Sequence, residues 1–259
     1  MRGLLRRGPR TSASPPTVGE RLVYAVGDIH GCAELLASLL ATIRADAAEL
    51  RPGQPTVIVF LGDYVDRGDG SREVIDQVIA LAADPRFEVR ALKGNHEEAL
   101  LAFLDDPDFG PTWAEYGGVQ TLRSYGVPAP VLRSQTSEWS KVREAFQLAL
   151  PQTHLRFLSQ LELTAVYGDY VFVHAGLRHG VALEAQSERD MLWIREEFLH
   201  AEPSFGKVVV HGHTPEADAF VGDHRIGIDT GAYATGVLTA VRLKGEERAL
   251  LQATRSRLR

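Results

Sequence analysis

The chain of 259 residues contains one cysteine, Cys32, so no internal disulfide can staple it, and such usage suits a reducing cytoplasm. It also lacks any basic excess. Lys and Arg number 28 against 34 Asp and Glu, a formal charge of −6, which argues against the basic footprint of a nucleic-acid binder. A phosphorylated substrate is still compatible with that charge, because a metal centre supplies positive charge locally. No apolar run approaches the roughly 20 residues of a membrane helix. No internal repeat and no long low-complexity tract is present. Residues 1–17 are basic and then rich in Ser and Pro, and Leu4-Leu5 is far too short for the apolar core of a signal peptide. The expectation is a disordered tail over 1–17, one folded domain over 18–259, a cytoplasmic location, and no membrane or nucleic-acid partner.

What is present is a series of five short segments built around metal-ligand residue types. They are Gly27-Asp28-Ile29-His30-Gly31, Gly62-Asp63-Tyr64-Val65-Asp66-Arg67-Gly68, Gly94-Asn95-His96-Glu97, His174-Ala175-Gly176 and His211-Gly212-His213-Thr214-Pro215. Four directly follow apolar runs that read as buried strands, at 22–26, 57–61, 171–173 and 208–210. The Gly94 segment follows a weaker strand candidate at 87–92. Carboxylates and imidazoles gathered at strand exits are how an α/β scaffold builds a metal site.

The first half alternates strand and helix, with helical periodicity over 33–44, 71–83 and the segment carrying Leu100, Leu101, Phe103 and Leu104. A βαβαβ pattern implies parallel strands and right-handed crossovers, which would range the ligand types along the carboxyl edge of one sheet. Alternation stops from about residue 105 to 163, where helical patterns return at 138–150 and 153–161. This segment is expected to be a helical insertion beside the site. Short strands follow at 164–167, 170–174, 208–211, 219–221, 225–228, 237–243 and 248–252, with Gly168-Asp169 as a hairpin turn.

Asp28 and His30 are two residues apart, so on an extended strand end both point the same way and can chelate one ion. Asp63 can bridge two ions through its two oxygens, and Asn95, His174 and His213 would complete the second. That donor mix suits Mn²⁺, Fe or Zn²⁺ better than Ca²⁺ or Mg²⁺. His211 reads equally as a neighbour of the ligands or as a core histidine. His154, His179, His200 and His224 lie in helical or loop segments outside the five blocks and read as surface or structural.

Taken together, GDIHG, GDYVDRG, GNHE, HAG and HGHTP resemble the signature blocks of calcineurin-like metallophosphoesterases. They are most similar to the phosphoprotein phosphatase branch, and within it to bacterial and lambda-phage-type serine/threonine phosphatases. Leu192-Trp193-Ile194-Arg195 and Ile228-Asp229-Thr230-Gly231-Ala232 extend the resemblance, which covers roughly residues 20–243. It implies a four-layer αββα sandwich with two divalent ions, Mn²⁺ foremost, between the sheets. It puts Asp28 and His30 on the first ion, Asp63 on both, and Asn95, His174 and His213 on the second. His96 would protonate the leaving oxygen, oriented by Asp66, while Arg67 and Arg195 hold phosphate oxygens. Tyr116 stands where relatives often carry Asn and is given no role. The activity implied is hydrolysis of phosphoserine, phosphothreonine and other phosphomonoesters, on proteins or small molecules, by a metal-bridging hydroxide. The alternative is a symmetrical dinucleoside tetraphosphatase, against which Asp66 and Glu97 argue.

Overall fold

The computed structural model describes residues 15–51, 54–130, 136–201 and 205–255. The first half folds as β1 (Leu22–Val26), α1 (Ala33–Leu50), β2 (Thr56–Phe60), α2 (Ser71–Ala82), β3 (Phe87–Ala91) and α3 (Asn95–Asp105). The three strands are parallel neighbours, a pairing that demands a crossover between each pair, and α1 and α2 supply the crossovers. α1 runs past its expected end because Ala47 continues the buried stripe of Leu36, Leu40 and Ile43 at helical spacing.

Between α3 and the next strand lie α4 (Gly110–Trp113), α5 (Val119–Ser124), α6 (Thr136–Ala149) and α7 (Gln152–Ser159). Their core is aromatic. Phe103 of α3 stacks on Trp113 with centroids 4.9 Å apart, and Trp139 and Phe146 close around it. These rings belong to the same continuous cluster as the inner faces of α1 and α2. His154 is buried, and its ring bridges Tyr125 Oη at 2.8 Å and Asp76 Oδ1 at 2.9 Å. It therefore ties α7 to α2 and to the end of α5.

The remaining strands are β4 (Thr164–Tyr167), β5 (Tyr170–Val173), β6 (Val208–His211), β7 (Phe220–Val221), β8 (Arg225–Gly227), β9 (Val237–Lys244) and β10 (Glu247–Thr254). β9 and β10 return antiparallel to the first sheet, giving the order β10-β9-β1-β2-β3, while a second sheet runs β4-β5-β6-β8-β7. Strand alternation then sets the layers. Leu22, Tyr24 and Val26 pack with Leu36, Leu39 and Val74 of the helices. Val23 and Ala25 pack instead with Phe172, Val210 and Ile226 of the second sheet. On the far face of that sheet, Val171, Val173 and Val209 meet Met191, Ile194 and Phe198. Both sheets are thus covered on both faces, which is the four-layer αββα sandwich.

Of the expected tail, residues 1–14 lie outside the described residues. At its end, the Thr17 N–H donates to Asp169 Oδ2 and the Asp169 N–H donates back to the Thr17 carbonyl, both at 2.9 Å.

Candidate active site

Asp28, His30, Asp63 and Asn95 lie just past β1, β2 and β3, whereas His174 and His213 follow β5 and β6. The ligand candidates are therefore shared between two sheets and do not line one edge, because the chain leaves the first sheet after β3. All six are buried. The expected side-by-side geometry of Asp28 and His30 on a strand end is not found. β1 stops at Val26, and His30 has φ of +46°, so a left-handed turn aims the imidazole. Among the described residues, every non-glycine residue with left-handed φ is a site candidate: His30, Asp63, Asp66, Arg67 and His213. Each such residue costs on the order of 1–3 kcal/mol and persists only where the surrounding fold holds it.

The His30 Nδ1–H donates to the Val65 carbonyl at 2.9 Å, and the His174 Nδ1–H to the Leu61 carbonyl at 2.8 Å. Each bond leaves a lone pair on Nε2. That of His174 meets another acceptor, Asn95 Oδ1 at 2.8 Å, with Asp63 Oδ1 3.6 Å away. That of His30 faces Asp63 Oδ2 at 3.4 Å. His213 presents Nδ1 to the same Asn95 Oδ1 at 2.9 Å. Asp28, Asp63 and His174 bring ligand atoms within 4.8 Å of one another, and so do His30, Asp63 and His96. Acceptors converging on acceptors call for a cation.

Charge leads to the same place. Asp28, Asp63, Asp66, Glu97 and Asp229 are buried, while no described Lys or Arg is. Uncompensated buried carboxylates are strongly destabilising, and divalent ions would offset that. Burial lowers His30 to about 3 and His213 to about 2, and lowers His174 too, so their lone pairs are free at neutral pH. Burial and the neighbouring Asp229 and Asp63 push Asp28 well up. Burial would also raise Asp63, but the imidazoles around it hold it below the usual carboxylate range. Carboxylate and amide oxygens with neutral imidazoles fit divalent transition ions.

The His96 Nδ1–H donates to Asp66 Oδ2 at 2.7 Å, leaving Nε2 towards Arg67 Nη2 at 3.2 Å and Asp63 Oδ2 at 3.9 Å. Burial opposes charge on this ring, yet Asp63 and Asp66 outweigh it and raise His96 to about 9. Asp66 is held from behind by the helical insertion. Trp113 Nε1 donates to it at 3.0 Å and Thr121 Oγ1 at 2.6 Å. The Arg67 N–H donates to the Gly117 carbonyl at 3.2 Å. Arg67 bears electrostatically on His30 and His96, and Arg195 on His174 and His213.

Glu97 has a part that the sequence reading missed. Its buried carboxylate accepts four backbone N–H groups, from Asp63 at 2.9 Å, Tyr64 at 2.8 Å, Val65 at 3.3 Å and Gly94 at 2.9 Å. The local signal was available: Glu97 stands three residues after Gly94, the reach-back position of a helix capping box. No local signal marks Trp113 or Thr121. His211 is a core histidine, edge-on to Phe198 at 5.0 Å and facing Arg225 through Nε2. Tyr116 is exposed.

Residues 22–238 match the calcineurin-like phosphoesterase family. The asymmetrical bis(5′-nucleosyl)-tetraphosphatase PrpE of Geobacillus thermodenitrificans is 29% identical over 84% of this chain and 88% of its own. Serine/threonine-protein phosphatase 1 of Salmonella typhimurium is 28% identical over 86% of this chain and 93% of its own. A crystal structure of a candidate diadenosine tetraphosphatase shares the fold with a TM-score of 0.60 at 20% identity, over 92% of this chain and 96% of that one. With every ligand and catalytic candidate inside the matched span, the chain belongs to the calcineurin-like phosphoesterase family and is a metallophosphoesterase hydrolase.

Proposed function

We propose a phosphomonoesterase of the serine/threonine protein phosphatase type that works with two divalent ions, Mn²⁺ ahead of Fe or Zn²⁺. Asp28 and His30 would hold one ion, Asn95, His174 and His213 the other, with Asp63 shared. Bound there, two ions lower the pKa of water and neutralise phosphate oxygens. The chain's own side chains do the rest. Arg67 and Arg195 take peripheral phosphate oxygens in their guanidinium forks. His96 delivers a proton from Nε2 to the departing oxygen, and Asp66 fixes the ring by accepting from Nδ1.

The observation that carries this reading is the buried His96–Asp66 contact of 2.7 Å. A serine alkoxide is a strong base and leaves only with a proton. A phosphate anhydride leaves with far less help. A histidine held and charged in this way is therefore worth most to a phosphomonoester.

A second reading, dinucleoside tetraphosphate hydrolysis, is favoured by the name of the PrpE relative, which aligns along most of both chains. Side-by-side assays of the Mn²⁺-loaded protein on phosphoserine peptides and diadenosine tetraphosphate decide between them. Higher kcat/KM on the peptides is expected. Preference for the dinucleotide would install the second reading, and the products would then tell symmetrical from asymmetrical cleavage. No turnover of either by metal-loaded protein would reject both.

A further inference from the structure

We infer that Tyr233 touches the leaving group, its ring walling a subsite beyond His96 that takes the organic part of the phosphoester. Nothing in the ligand cluster requires this residue. It stands on the short helix Ala232–Thr235, which follows Gly231 in left-handed conformation, and the residue is 40% exposed. The ring meets the His30 edge with centroids 5.4 Å apart, and the Arg67 guanidinium lies 4.8 Å from its centroid. Arg67 Nη2 is in turn 3.2 Å from His96 Nε2. Tyr233 thus abuts His30 directly and reaches His96 through Arg67. Beside Arg67 and Tyr233 opens a cavity of about 530 Å³, lined by both and by Cys32, Glu34, Asp69, Glu73 and Arg255.

Given His96 as the acid, as proposed above, the protonated oxygen must carry its alcohol away from the ligand cluster. This cavity adjoins the site through Arg67 and Tyr233. Tyr233 offers an aromatic surface where phosphate would need polar donors, so the group it receives has a planar or apolar face. Charge narrows the class further. Glu34, Asp69 and Glu73 outnumber Arg67 and Arg255 in the lining, and Arg67 is turned to the phosphate. The leaving groups that fit are uncharged or cationic hydroxyl compounds, such as a peptide side chain or a phenol. A nucleotide carrying further phosphates does not.

The test uses Mn²⁺-loaded protein, para-nitrophenyl phosphate as substrate, and inorganic phosphate as both competitive inhibitor and calorimetric ligand. Inorganic phosphate fills the phosphate site without a leaving group. Tyr233→Ala should lower kcat/KM on the aryl ester roughly 5–30-fold, mainly through KM, the scale of one lost aromatic contact. Phosphate affinity should stay unchanged, and Tyr233→Phe should retain both properties. An equal loss in KM and in phosphate affinity would show that Tyr233 serves only to steady Arg67, and an unchanged KM would show that it touches nothing. Either result overturns the inference while leaving the phosphatase reading intact. Wild-type protein that turns over no phosphoester would instead reject that reading and the inference together.

Discussion

Asp63 is held in left-handed backbone, with φ of +52°, and the Glu97 carboxylate accepts its N–H and those of the next two residues. Glu97→Gln keeps the size but turns one accepting oxygen into a donor. At least one buried N–H at residues 63–65 or at Gly94 then loses its acceptor, and the loop presenting Asp63 loosens. Mn²⁺ affinity, read by calorimetry, should fall about 10–100-fold, the usual effect of removing a group that orients a metal ligand. Unchanged affinity would mean that the loop supports itself. The mutation should also spare phosphate binding once metal is saturating, since the Glu97 carboxylate is taken up by backbone N–H groups.

Among the elements, the helical insertion turns out to serve the catalytic candidates, through Trp113 of α4 and Thr121 of α5. Both donate to Asp66, so their effect on turnover should pass through His96. His96→Asn itself should cost on the order of 10²–10⁴-fold with alkyl phosphates, the range for general acid catalysis, and clearly less with para-nitrophenyl phosphate, whose phenol leaves unaided. Thr121→Val retains the shape but deletes the bond to the Asp66 carboxylate, together with those to the Asp66 N–H and Ser71 Oγ. It should repeat that leaving-group pattern at roughly tenfold, as expected for a bond to a charged group. Equal slowing of both substrates would mean that the insertion acts on phosphate binding, through Gly117 and Arg67.

For the molecule as a whole, many buried groups titrate together. Burial, with Asp63 nearby, raises Glu97 to about 8; burial raises Asp229 to about 6; and the carboxylates raise His96 to about 9. A folded pKa above the unfolded one means stability that is complete below the unfolded value and lost as pH climbs through the folded value. Buried His30, His174, His211 and His213 are lowered instead. Their contribution is complete above about pH 6.5 and is lost only on acidification. From about pH 6.5 to 9 the raised groups alone act, so metal-free protein should lose stability with rising pH. Divalent ions displace the same protons, so the gain in Tm on adding Mn²⁺ should grow across that window. Melting curves with Mn²⁺ and with a chelator check this, and a gain independent of pH would show that protons and ions do not compete.

The strands and the positions of the ligand candidates at their exits were legible in the residues because both are local. Buried strands such as β1 and β2 are almost wholly apolar runs, and each is followed within two residues by a glycine, Gly27 or Gly62. Adjacency along the chain did not say where side chains point. His211 and His213 are two residues apart, yet β6 ends at His211 and φ of +64° at His213 separates them. Local pattern also did not divide the strands into two sheets, since β9 pairs with β1 across some two hundred residues. The partners of Asp66 were likewise hidden, because Trp113 and Thr121 lie 47 and 55 residues away. Apolar spacing and glycine turns act over a few residues and can be read directly. Contacts between distant segments exist only once packing of the two sheets and the insertion has brought them together.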